Sequence, residues 1–210
     1  MTRTTRTLTA AVLAGAAAAY ALLLRPRQLH WGATDEECDQ LLPGDAILPE
    51  ADLVTTRAIT VHAPPSRVWP WVAQLGQARG GFYTYERLER LFGTHIHNAD
   101  RVVPEWQDVK VGDQLQLTPD ASLEVAVADP PRALVASSGP RTGPPAGPVD
   151  FTWAFVLREG EHGTTRLLVR ERYRYTRPWA ALLTEPVELV SFVMTERMLR
   201  GIRDRVEHLG

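Results

Sequence analysis

Residues 186–209 read PVELVSFVMTERMLRGIRDRVEHL, and this stretch decides the fold. Val187, Val190, Met194, Met198, Ile202 and Val206 recur three or four apart, which collects them on one face of a helix. Glu196 with Arg200, Arg200 with Asp204, and Arg203 with Glu207 form i, i+4 pairs on the other face. Pro186 suits a first helical turn, where it costs no hydrogen bond, so the predicted helix runs from about Pro186 to Leu209. Gly201, on the margin of the apolar stripe, would let the helix come close to a sheet. A long one-faced helix needs a broad apolar partner.

Upstream, the pattern supplies that partner. Gln114–Thr118, Ser122–Ala128, Arg132–Ser138, Val149–Leu157 and Thr165–Tyr175 are strand-like runs separated by Pro119-Asp120, Asp129-Pro130-Pro131, SGPRTGPPAGP and EGEHG turns. Short turns between neighbours predict an antiparallel meander. Earlier, VTTRAITVH (Val54–His62) is a first strand, and SRVWPWVAQLG follows as a short helix with Pro65 near its start. YERLERLF (Tyr85–Phe92) is a second short helix, with Thr84 as its N-cap and Gly93 after its end. Helix against curved antiparallel sheet makes an α+β fold.

The N-terminus has a different character. Leu8–Leu24, LTAAVLAGAAAAYALLL, carries no charge and lies between Arg3 and Arg6 on one side and Arg25 and Arg27 on the other. The run is long for a signal-peptide core and at the short edge of a spanning helix. Its most apolar part, Leu22–Leu24, lies after the Ala-rich cleavage candidates, which favours an uncleaved single-pass anchor over a secreted, cleaved product. Arginines on both sides leave the side of the membrane open. Residues 1–27 are therefore read as the anchor and 28–52 as a connector, with one short helix from Asp35 capped by Thr34 and Glu37.

Charge and cysteine content exclude several functions. The chain has 23 basic and 25 acidic residues; without the four arginines around the apolar run the balance is 19 against 25, unsuited to a nucleic-acid backbone. Cys38 is alone, which excludes an internal disulfide and a thiolate metal cluster. The chain says nothing of its oligomeric state.

The element order, together with APPSRVW (Ala63–Trp69), LPGD, GGFYTYERLERLFG, IHNADRVVPEWQDVKVGD and FVMTERMLRGI, resembles the START-like or helix-grip superfamily, also called SRPBCC, which includes the birch-pollen-allergen-like fold. The likeness extends from Arg25 onward and is to a bacterial branch of undefined function. It implies a START-like domain over residues 53–210, with a cavity between the sheet and the C-terminal helix that takes an apolar or amphiphilic molecule, lipid- or polyketide-like. Trp71, Phe82, Tyr83, Tyr85, Trp106, Trp153, Tyr173, Met194 and Met198 are the candidate ligand contacts. No cofactor is implied. A cyclase- or hydrolase-type enzyme and an interaction module with a filled core are the alternatives.

Two places could carry chemistry. In TRLLVRERYRY, Leu167, Val169, Glu171, Tyr173 and Tyr175 share one face and Arg166, Leu168, Arg170, Arg172 and Arg174 the other. Glu171 would then be a carboxyl among apolar neighbours, the setting of a general acid, and the arginines a solvated comb. The second place is GTHIHNADRVVPEWQ (Gly93–Gln107), where His95, His97, Asp100 and Glu105 raise the question of metal. Gly93, Asn98 and Pro104 make this a loop, in which an HxH pair has no reason to converge, so no metal site is expected. The loop reads as a lid held by its own polar groups, with His97 and Asp100 left as acid/base candidates beside Glu171.

Overall fold

The computed structural model describes residues 15, 18–85, 97–138 and 147–208. The expected helix Tyr85–Phe92 and His95 fall almost wholly outside these residues, as does most of the apolar run Leu8–Leu24. Among the described residues no helix is long and apolar enough to cross a membrane. A π-helical turn, Tyr20–Leu24, leads into α1 (Arg25–Leu29).

The meander forms as the turns require. β1 (Leu53–Val61), β2 (Gln114–Thr118), β3 (Ala121–Asp129), β4 (Ala133–Ser137), β5 (Val149–Glu159) and β6 (Thr165–Tyr175) make an antiparallel sheet in the order β1-β6-β5-β4-β3-β2. Consecutive strands from β2 to β6 are neighbours, and β1 returns to pair with β6, Thr55 opposite Glu171 and Arg57 opposite Val169. One face carries Ile59, Phe155, Leu157, Leu167 and Val169, all buried, and receives α3 (Pro65–Ala73) and α4 (Ala180–His208). Pro65 sits in the first turn of α3, and Pro70 is accommodated inside it.

α4 departs from the expectation at both its start and its face. It begins six residues before Pro186, which stands inside the helix despite the lost hydrogen bond and the crowding of its ring against the preceding turn. From Met198 onward Met198, Ile202 and Val206 are buried, as the periodicity predicts, and Leu199 joins them. Before Met198 the buried residues are Ala180, Thr184, Glu188 and Thr195, while Val187, Leu189, Val190 and Val193 are exposed together with Trp179 and Leu182. The polarity of the stripe is inverted there. Gly201 gives its close approach to the Tyr83 carbonyl rather than to a strand; a Cβ at that position would stand 2.5 Å from the oxygen.

The segment 28–52 is packed against both faces of the sheet. Leu29 contacts Leu53 and Tyr173 on the helix side. The chain then passes the free edge of β1, where the Ala58 amide donates to the Trp31 carbonyl, and reaches the opposite face. Gly32 makes this crossing possible: its φ is +72°, and a Cβ would lie 2.2 Å from the Ala58 oxygen. α2 (Asp35–Asp39) follows with the expected Thr34/Glu37 capping box.

The arginine comb of β6 faces this segment and not solvent. Arg170, 2% exposed at its side chain, donates to the carbonyls of Glu37, Cys38 and Gln40, to Asp45 and to Thr56. Arg166 binds Glu37 and the Gly32 carbonyl, Arg172 the carbonyls of Leu48 and Pro49. Only Arg174, paired with Asp150, lies toward solvent. A guanidinium has five donors in a fixed plane, so it can satisfy several carbonyls of an irregular segment at once. Such carbonyls would otherwise be unpaired in the interface.

Candidate functional site

A cavity of about 140 Å³ lies between the sheet and α4, lined by Phe82, Thr84, Leu117, Trp153, Ser191, Met194, Thr195 and Met198. Trp153 comes from β5, directly opposite Glu171 of β6, and its ring stacks at 4.8 Å from Phe155 and 5.8 Å from Phe82. Phe82 and Thr84 flank Tyr83, whose φ of +57° is costly for a residue with a Cβ. The conformation is held from three sides. The Tyr83 amide donates to Asn98 Oδ1 at 2.6 Å, its hydroxyl lies between Gln74 and the Trp71 carbonyl, and Arg205 stacks over its ring. Burial pushes the Tyr83 phenol well above its ordinary value, so it acts as a neutral hydroxyl.

Behind Ser191 and Thr195 stands a buried polar cluster. Glu171, 2% exposed, accepts at Oε1 from Ser191 Oγ (2.8 Å) and Thr195 Oγ1 (3.2 Å). At Oε2 it accepts from Thr55 Oγ1 (3.3 Å), Arg57 Nη1 (3.2 Å) and Tyr173 OH (3.0 Å). Arg57, fully buried, also binds Glu188 and the Gln28 carbonyl, and the Gln28 amide group donates to Glu188. One guanidinium thus faces two carboxyls. Burial pushes the Glu188 carboxyl up, Arg57 opposes that shift, and the negative charge of Glu171 adds to it. Burial, and then Glu171, push the Tyr173 phenol up as well.

A second concavity of about 240 Å³ lies on the other side of Tyr173, lined by Val149, Phe151, Tyr173, Thr184 and Val187. A third, of about 310 Å³, is a surface groove beside Arg67 and Arg101. The first and second both lie between the sheet and α4 with apolar walls, whereas the third is bordered by two arginines.

Of the candidates read from sequence, Phe82, Trp153, Met194 and Met198 line the first cavity and Tyr173 the second. Trp71 and Tyr83 are buried and meet edge to face at 5.8 Å, and Trp71 also lines the third concavity. Tyr85 is exposed under Arg197, and Trp106 is half-buried with its carbonyl bound by Arg79. His97 and Asp100 are exposed and line none of the three concavities. Their neighbour Asn98 bridges the Tyr83 amide and the Thr84 carbonyl, so this loop shapes the cavity wall. Among the described residues no group of three metal-binding side chains converges.

No protein-family model matches the chain, and no curated protein matches its sequence. Solved structures similar in fold include a hypothetical protein from Helicobacter pylori, with a TM-score of 0.46 and 13% identity over 78% of this chain and 93% of that one. A protein from Mesorhizobium loti has a TM-score of 0.42 and 16% identity over 71% and 96%. An HSP90 activator from Plasmodium falciparum has a TM-score of 0.37 and 13% identity over 60% and 76%.

Sequence reasoning missed Thr84, Ser191 and Thr195 in the wall, and Gln28, Arg57 and Glu188 in the cluster. One signal was present. Arg57 shares the period-two face of β1 with Leu53, Ile59 and Val61, and an arginine on a buried strand face requires an acidic partner.

Proposed function

We propose that this chain is a START-like, helix-grip domain that binds a small hydrophobic or amphiphilic molecule between the sheet and α4, and that residues 8–24 attach it to a membrane. The observation that carries the binding reading is the cavity walled by Phe82, Leu117, Trp153, Met194 and Met198. Aromatic rings supply rigid apolar area, and the two methionines supply adaptable contact. A volume of about 140 Å³ suits a ring-sized group rather than a whole lipid, since drug-sized ligands occupy about 300–1,000 Å³. A longer ligand would bury one end.

Membrane attachment draws support from the surface around α1. Leu22, Leu23 and Leu24 are exposed, and so is the apolar stripe of α4, with Leu182 at 78%. Gln28 binds Glu188, so the two apolar surfaces meet near one point of the fold. An apolar-out, polar-in half helix is the arrangement expected beside lipid.

Native mass spectrometry of the gently purified full-length chain tests binding. An adduct mass is expected, and Met198→Trp, which fills the cavity, should remove it while leaving the fold intact. Absence of any adduct, together with failure to take up small aromatic probes, would refute the reading. Recovery of the full-length chain in the soluble fraction after lysis without detergent would refute the attachment.

A further inference from the structure

The geometry points to a neutral, hydroxyl-bearing ligand, an alcohol or a phenol, as the molecule the cavity takes. This deepens the binding reading and rests on it. Two observations define the chemistry. Among the described residues the indole Nε1 of Trp153 is buried with no hydrogen-bond partner, although Trp153 is 9% exposed and lines the cavity. A buried donor left unpaired carries the full desolvation cost, which a ligand oxygen accepting from it would remove.

The second observation is the direction of the wall hydroxyls. Ser191 and Thr195 each spend their single proton on Glu171 Oε1. A hydroxyl has one donor and two lone pairs, so what remains on both side chains is acceptor capacity. The smallest neutral group that can both accept from Trp153 and donate to Ser191 or Thr195 is a hydroxyl. Carboxylates are disfavoured, because Glu171 stands one hydroxyl behind the wall and its guanidinium partner, Arg57, is already shared with Glu188. Pure hydrocarbons fit the walls but leave the indole unpaired. The size agrees, since an empty apolar cavity of about 150 Å³ is filled by one benzene ring.

Titration of the full-length chain with phenol, toluene and benzoate, followed by ligand-observed NMR, separates the possibilities. Phenol is expected to bind about fivefold to tenfold more tightly than toluene, the yield of about one net hydrogen bond. Benzoate is expected to bind more weakly than either. In Trp153→Phe and in Ser191→Ala the phenol-to-toluene affinity ratio should fall toward one; toluene binding in each variant reports that the cavity still exists. Toluene binding as tightly as phenol, or benzoate binding best, overturns the ligand class and leaves the cavity reading standing. If none of the three binds the wild-type chain, both are overturned.

Discussion

Replacing Arg57 by Met should be among the most damaging single changes in the protein. The guanidinium is fully buried and makes three polar contacts, from Nε to the Gln28 carbonyl, from Nη1 to Glu171 and from Nη2 to Glu188. Methionine approximates the stem but leaves two buried carboxyls with no cation. Removing one partner of a buried ion pair costs about 3–5 kcal/mol, most of it from the stranded charge. A domain at the low end of ordinary stability, about 5 kcal/mol, would be brought near its midpoint. Denaturant unfolding followed by circular dichroism measures the loss, with an unchanged slope as the sign that only stability moved. The decisive comparison is Arg57→Met/Glu171→Gln/Glu188→Gln. With no charge left to strand, the triple variant should recover at least half of the single variant's loss. If Arg57→Met costs under about 1 kcal/mol, or the triple variant is no better than the single one, the argument from stranded charge is refuted.

Glu188 gives a pH prediction with a definite sign. Its folded-state value is raised, so the folded chain holds a proton that the unfolded chain has lost; its stabilisation is complete below the unfolded value and disappears as pH rises through the folded one. The melting temperature of Glu188→Gln relative to wild type should therefore climb from about pH 4.5 upward; a flat difference would contradict the shift. Arg170→Ala should free five contacts to residues 37–45 and to Thr56, costing about 2–4 kcal/mol and exposing residues 33–50 to hydrogen exchange before the sheet. Unaltered exchange there would show that the arginine rungs do not hold the segment. Gly32→Ala should lower stability by about 2 kcal/mol or more, since positive φ and a contact at 2.2 Å act together. A loss within about 0.5 kcal/mol in thermal unfolding would show that the edge crossing relaxes freely.

How much of this was legible depended on whether the controlling contact was local. The Thr34/Glu37 cap spans three residues and was readable. The six strands follow from β-rich runs bounded by turn residues, and β6 divides its two faces as its sequence divides them. Alternation states which side chains share a face, however, and not what covers it. The comb at Arg166, Arg170 and Arg172 is polar in composition but faces a segment more than 120 residues earlier, so exposure was the wrong inference from polarity. The same non-local cause inverted the first half of α4. Val187 and Val190 have the helical spacing of a core face, yet Arg57 on β1 draws Glu188 inward and turns them out. Within the candidate site the aromatic and methionine contacts were found by type and period. The hydroxyl contacts were not, because serine and threonine on a helix carry no signal until an acceptor such as Glu171 is placed beside them.

The grip on Gln28 has a mechanical meaning. A pull on the chain from beyond Arg25 reaches this residue, whose carbonyl and side chain are both tied to the cluster that also holds α4. The Ala58–Trp31 bond comes next along the chain, and the arginine rungs after it. Tension from the N-terminal side is thus borne in series, and it passes through the fastening that holds α4 to the sheet before it reaches the arginine rungs.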